Sequence, residues 1–226
     1  MKKVLSINAS PKGKKAASFA LLEHINKGID HAEKKIISIA SYQKKGYEEI
    51  MREAGKATEI VLAFPLYVDC IPALMQEFME KYQQSYDNGR IKGKKNLYTV
   101  INCGFPEAKQ NRTAMEIMKE FARSSGFTWK TGVGIGMGGM VNPNNIPPSV
   151  KIVRPVYDEL KKITEALNNV DARKNTKSMV YVSPHLDILG KKIMKILYII
   201  MGNIGWKQQA RKNRAAKKLY AKPYMK

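Results

Sequence analysis

The first residues with the chemistry to hold a ligand lie in the stretch NASPKGKKAAS, positions 8–18. Ser10, Lys12, Gly13, Lys14 and Ser18 fall between an apolar run at 4–7 and a helical pattern that starts near 16. The N–H groups at a helix start lack intrahelical acceptors, and the helix dipole places roughly half a positive charge there. Hydroxyls, small residues and cations at such a turn suit one phosphate group. A nucleoside triphosphate is disfavoured, because no Gly-Lys-Ser/Thr stands at the Walker spacing. The competing reading is a solvated turn in which Ser18 is an ordinary helix residue.

Three further loops carry candidate contacts. FPLYVDCIP, positions 64–72, is stiffened by Pro65 and Pro72 and sets Tyr67 at a strand end. A flat ligand would stack on that ring, with backbone groups of Leu66 and Val68 meeting its polar edge. The alternative is that Tyr67 and Val68 pack on the following helix. NCGFPEAKQN, positions 102–111, contains Gly104, which permits close approach of a ligand to backbone; taken alone it is an ordinary loop. The run at 132–140 contains Gly134-x-Gly136-x-x-Gly139, the spacing of a dinucleotide fingerprint. That fingerprint needs its glycines to open a helix directly after a strand. Here they begin inside a strand pattern, and the stretch 142–148 is helix-breaking, so the assignment fails. These glycines are expected instead to let backbone pass close to a flat ligand or a partner subunit.

Short apolar runs alternate with helical patterns between these loops. Strands are predicted at 4–7, 35–39, 59–64, 96–102 and 128–135, and helices at 16–30, 46–55, 71–86, 112–125 and 150–168. EIVLAF, at 59–64, is apolar almost throughout, as in a strand buried on both faces. Pro72 sits in a first helical turn, where proline is tolerated, and Gly126 closes a helix. Five βα units in the first 170 residues call for a parallel sheet with helices on both faces. In such open sheets ligands sit beyond the carboxyl ends of the strands, where these loops fall.

Composition narrows the class. The chain has 226 residues and is 44% apolar, ordinary for a domain that buries a core, but its net charge of +21 is not ordinary. From position 172 onward 14 Lys/Arg face one acid, Asp187, whereas the first 171 residues hold 26 bases against 18 acids. Cys70 and Cys103 match no zinc spacing and are too few for an iron–sulfur cluster, so no metal site is expected. Met1-Lys2-Lys3 is followed by too short an apolar run for a signal peptide, and no uncharged apolar stretch of ~18 residues is present. A cytoplasmic protein with reduced thiols is the expectation. His24, His31 and His185 lie on or beside a surface helix or in the extension, and none is expected to be catalytic. Cys70 and Cys103 follow strand ends and are read as packing residues, a redox role being the alternative.

Taken together, SINASPKGKKAAS, FPLYVDCIPALMQEFME and INCGFPE resemble the flavodoxin-like NAD(P)H-dependent FMN reductases and quinone oxidoreductases, over roughly residues 1–170. PLYVDCIP and NCGFPE are the more specific pieces; Ala16-Ala17-Ser18 stands where Gly-Asn-Thr is common in that family. The resemblance implies an α/β fold, a doubly wound five-stranded parallel sheet of order 2-1-3-4-5. It implies that Ser10, Lys12 and Ser18 hold the phosphate of FMN. Pro65, Leu66, Tyr67 and Val68 would line the isoalloxazine, and Cys103, Gly104 and Phe105 would approach its other edge. The implied activity is hydride transfer from NADH or NADPH through the flavin to a quinone or similar small electron acceptor. No catalytic side chain is required, and the implied assembly is a homodimer. The alternative is an electron carrier, or a non-enzymatic relative with weak flavin binding. The carrier is disfavoured because such proteins are typically acidic and shorter.

Residues 171–226 form a basic extension: a linker with a short strand or extended piece at 177–184, an amphipathic helix at 185–206, and a basic tail. At ~100° per residue Leu189, Ile193, Ile196, Leu197, Ile200 and Ile204 share a side, with Lys191, Lys192 and Lys195 opposite. Three readings stay open: a helix docked on the core or a second subunit, an interfacial helix on an anionic membrane, and a nucleic-acid-binding tail. The last ranks lowest, because no recognised nucleic-acid fold accompanies it.

Overall fold

The computed structural model describes residues 2–42, 46–168, 178–186, 196, 204–208 and 210–221. The chain divides into two compact units, 1–185 and 186–226. The amphipathic helix expected at 185–206 falls largely outside the described residues.

The first unit is built on six strands: β1 (Lys3–Asn8), β2 (Glu33–Ser38), β3 (Glu59–Pro65), β4 (Lys95–Asn102), β5 (Phe127–Ile135) and β6 (Met179–Val182). All pair in parallel, in the order β2-β1-β3-β4-β5-β6. The chain winds from β1 to β2 in one direction and from β3 outward in the other. The expected order 2-1-3-4-5 is present, and MVYV at 179–182 adds a sixth strand on the β5 edge.

Among the described residues five helices cover the sheet: α1 (Ala17–Lys27), α2 (Glu48–Lys56), α3 (Ala73–Asp87), α4 (Arg112–Ser124) and α5 (Arg154–Asn168). Side-chain alternation along β3 shows how two layers of helices arise. Ile60, Leu62 and Phe64 face a core that contains Ile50 of α2, Phe78 of α3 and Met118 of α4. Val61 and Ala63 face the opposite core, with Leu22 of α1 and Leu160 of α5. Every residue from Glu59 to Phe64 is buried, as a strand covered on both faces requires.

The glycines of β5 serve this packing. A Cβ on Gly132 would strike Met115 of α4, and one on Gly134 would strike the Tyr181 ring of β6 at 2.8 Å. A Cβ on Gly136 would strike Ser183 and the Pro106 carbonyl. The expectation that this run opens backbone to a ligand or a partner is therefore corrected for Gly132, Gly134 and Gly136. Their bare face is already filled by α4, β6 and the loop after β4.

Part of the basic excess works at the amino ends of the strands. Helices in this topology end there, leaving carbonyls without intrahelical donors. Lys2 Nζ donates to the Leu167 carbonyl near the end of α5. Lys34 Nζ donates to Asn26 and Ile29 carbonyls at the end of α1, at 3.1 and 2.7 Å. Lys95 Nζ donates to Gly55 and Ala57 carbonyls at the end of α2, both at 2.8 Å. A cation there also complements the negative end of each helix dipole. Lys95 is buried, and burial holds its pKa below the usual lysine range.

Candidate functional site

The carboxyl ends of β1, β3 and β4 bring three of the four loops to one edge of the sheet. Asn8, the last residue of β1, organises the first. It is fully buried, and its amide uses each of its hydrogen-bonding positions. Asn8 Nδ2 donates to the Gly13 carbonyl at 3.0 Å and to Ser38 Oγ at 3.1 Å. Asn8 Oδ1 accepts from the Ser10 N–H at 3.3 Å and from Ser18 Oγ at 2.7 Å. Ser10 Oγ in turn accepts the Lys12 N–H at 3.3 Å. The turn is thus knit around one side chain, with Gly13 at φ +59° completing the bend.

This geometry places Ser10 and Ser18 inside the turn. Both are buried, and the Ser18 hydroxyl proton is committed to Asn8. Lys12, Lys14 and Lys15 are exposed around it. Helix α1 starts with Ala16 as N-cap, and among the described residues no side-chain capping bond takes up its first N–H groups. Cations and an uncapped helix start remain the features an anion would meet. Asn8 was not singled out in the sequence. The signal that points to it is an amide side chain at the carboxyl end of the first strand, directly ahead of the turn.

The second loop is tighter. Tyr67 and Cys70 exchange N–H···O bonds, both at 3.0 Å, across Val68 and Asp69. These central residues have φ of +48° and +55°. Two successive positive φ values mark a turn that usually takes Asn-Gly, and a β-branched residue there is a strained outlier. Val68 is 100% exposed and Tyr67 39% exposed. The alternative in which the Val68 side chain packs on the following helix is therefore excluded, whereas the Tyr67 ring is partly covered and partly open. The Leu66 N–H bonds the Asn102 carbonyl at 2.8 Å, tying this loop to the end of β4. Leu66 accordingly has no free N–H to offer a ligand edge, and Pro65 has none at all.

The loop after β4 divides into a buried and an open part. The Cys103 N–H donates to the Ile135 carbonyl at 2.8 Å, and the Gly138 N–H to the Cys103 carbonyl at 2.7 Å. Its sulfur lies 3.7 Å from the Phe105 carbonyl and 3.5 Å from Asn111 Nδ2. Burial pushes the Cys103 thiol pKa up, so this is a packing cysteine held as the neutral thiol. Gly104 is exposed, and Phe105 is 52% exposed beside it. Tyr67, Val68 and Phe105 give the ends of β3 and β4 an exposed apolar surface. Asn111 is a second residue missed in the sequence; its amide also donates to the Ala108 and Ile135 carbonyls at 2.9 and 3.2 Å, pinning this loop.

The histidines stand apart from these loops. His24 packs edge-on against Tyr157 of α5, with ring centroids 4.8 Å apart. His31 is exposed in the turn before β2. A wider groove of about 1090 Å³ runs between α3 and α4, past Met79, Gln83, Glu116 and Glu120.

No family model matches the chain, and no curated protein matches it. Solved structures do. An FMN-dependent NADH-azoreductase from Bacillus anthracis, in complex with FMN, is 15% identical, with a TM-score of 0.54 over 75% of this chain and 100% of that one. An NADH:FMN oxidoreductase in its apo form is 12% identical, with a TM-score of 0.55 over 74% of this chain and 89% of that one. General stress protein 14 from Treponema denticola, in complex with FMN, is 12% identical, with a TM-score of 0.54 over 74% and 99%. With this strand order and these two helical layers, the chain has the flavodoxin-like fold.

Proposed function

We propose that this chain is an FMN-dependent oxidoreductase that carries hydride from NADH or NADPH to a quinone or another small electron acceptor. The observation that supports this most is the neighbourhood of two unlike turns. A cation-rich turn at an uncapped helix start stands on β1, and exposed aromatic turns stand on β3 and β4, the next strands along the sheet. Proteins of similar fold hold FMN.

The residues present fit that cofactor. Lys12, Lys14 and Lys15, with the start of α1, offer charge and N–H donors to a phosphate monoester. Ser10 and Ser18 act from inside, by shaping the turn through Asn8. Pro65, Leu66, Tyr67 and Val68 offer an apolar platform, and Cys103, Gly104 and Phe105 bound its other side. Bound FMN would supply the hydride acceptance and release. The protein's part is placement. The bond from the Leu66 N–H to the Asn102 carbonyl fixes one wall against the other. Apolar surface at Tyr67 and Phe105 would shield a bound ring from water. Val68 and Phe105 leave exposed apolar surface that a second copy would cover, and this is the support for a homodimer. The two free thiols, Cys70 and Cys103, suit a reducing cytoplasm.

The test is a visible spectrum of the purified protein with added FMN, followed by NADH and NADPH oxidation against a quinone panel. Bound-flavin absorbance, quenched flavin fluorescence and acceptor-dependent turnover are expected. Micromolar FMN leaving neither signal overturns the reading; flavin retention without turnover makes the protein a carrier.

A further inference from the structure

The second unit carries features that a flavin site does not use. Among its described residues Ile204 is 52% exposed, Trp206 63% and Tyr220 79%. Exposed cations surround them: Lys207, Arg211, Lys212, Arg214, Lys217 and Lys218. The last twenty residues hold eight Lys/Arg and no acid. A water-facing surface does not ordinarily leave tryptophan and isoleucine open inside a cationic segment that holds no acid. Among the described residues no helix is long and apolar enough to cross a membrane.

We propose that residues 204–221 dock on an anionic lipid surface. Cations without neighbouring acids are drawn to the negative potential of a bilayer rich in acidic lipids. Trp and Tyr rings partition to the headgroup boundary, apolar body inward and polar edge in water. Exposed Ile204 adds aliphatic contact, which a nucleic acid would not reward. Charge selects the surface and the aromatic residues hold it. The proposal concerns the second unit alone and stands or falls separately from the flavin reading.

The experiment uses the full chain and sucrose-loaded vesicles, either pure phosphatidylcholine or with roughly 30% phosphatidylglycerol, at about 0.05 M and about 0.5 M salt. At the lower salt at least roughly tenfold tighter binding to the anionic vesicles is expected, with most of that preference lost at the higher salt. Trp206→Ala should weaken binding several-fold, and Trp206→Phe should restore most of it. A charge-reversal variant, Arg211→Glu with Lys212→Glu, should abolish the anionic preference while FMN binding, measured as above, stays unchanged. Equal binding to both vesicles, or to neither, overturns the proposal. So does anionic binding that Trp206→Ala leaves intact alongside tighter capture of a single-stranded oligonucleotide, which would assign the segment to nucleic acid.

Discussion

The turn after β1 closes around a side chain, whereas the turn after β3 closes on its own backbone. At the first, Asn8 makes four hydrogen bonds and the surrounding residues from Ser6 to Ser10 are buried. At the second, two backbone bonds enclose Val68 and Asp69 in left-handed conformations, exposed to water. The first turn is stabilised by its contacts. The second stores strain that no packing of Val68 offsets. An anion needs donors and charges already in place, because any reorganisation would be subtracted from its binding. A platform for a flat ring needs an exposed face, and an exposed face cannot be stabilised by burial. Strain at such a tip is what a ligand or a partner covering it can offset.

Removing the hub should have the largest effect. Asn8→Ala leaves the Ser10 N–H, the Ser18 and Ser38 hydroxyls and the Gly13 carbonyl to find new partners in a buried site. The expected loss is about 3 kcal/mol. That corresponds to a melting temperature lower by roughly 6–12 °C for a chain of this size. A loss below about 1 kcal/mol would mean that water repairs the turn, and the contrast with the β3 turn would dissolve. Ser18→Ala separates shaping from ligation. With its proton committed to Asn8, loss of the hydroxyl should cost about 1 kcal/mol of stability and change FMN affinity less than about threefold. Lys12→Ala and Lys14→Ala together should leave stability unchanged and weaken FMN roughly tenfold. The reverse pattern would return Ser18 to direct phosphate contact.

The β3 turn should respond in the opposite direction. Val68→Gly puts the residue best suited to positive φ at φ +48°. Folding stability should rise by about 1 kcal/mol, less the entropy glycine brings to the unfolded chain. Few substitutions to glycine stabilise, so a gain in urea midpoint is a sharp outcome. If stability falls instead, the valine side chain has a partner, such as a second copy. In that case the same variant should shift the protein toward monomer in sedimentation.

How much of this could be read from the residues differs element by element. EIVLAF states its burial on both faces outright, and the five βα units follow from alternation of periods. MVYV does not announce itself as β6 with equal force. Four residues in a basic context pair with the β5 edge, where Tyr181 lies against the bare face of Gly134, and that face is a tertiary property. Asn8 was silent for a related reason: an amide at a strand end reads alike whether water or four protein groups surround it. Val68-Asp69 gave no turn signal, since turns of this kind are recognised by Asn-Gly and this one is imposed by Tyr67 and Cys70 pairing across it. Ser10 and the α1 residue Ser18 are both buried around Asn8, a packing that residue type alone does not announce.

The smallest effect concerns the helix behind the hub. His24 lies on α1, half-buried against Tyr157 of α5. Burial, and next the charge of Lys27, hold its imidazole pKa below the ordinary value of 6.5. The unfolded chain therefore takes up this proton at a higher pH than the folded one. Stability from the neutral ring is complete above the unfolded pKa. It is lost as pH falls through about 6.5 toward the lowered folded value, and the loss levels off below that. Urea midpoints at about pH 8 and about pH 5 should differ for the native chain, and the difference should shrink in His24→Phe, which keeps an aromatic ring against Tyr157. Acid should loosen α1 and with it the Asn8 turn, while the hydrogen bonds exchanged between Tyr67 and Cys70 join backbone groups alone. If amide hydrogen exchange on mild acidification quickens at both turns equally, the two are mechanically coupled, and the division of labour between a packed seat and a strained platform would have to be abandoned.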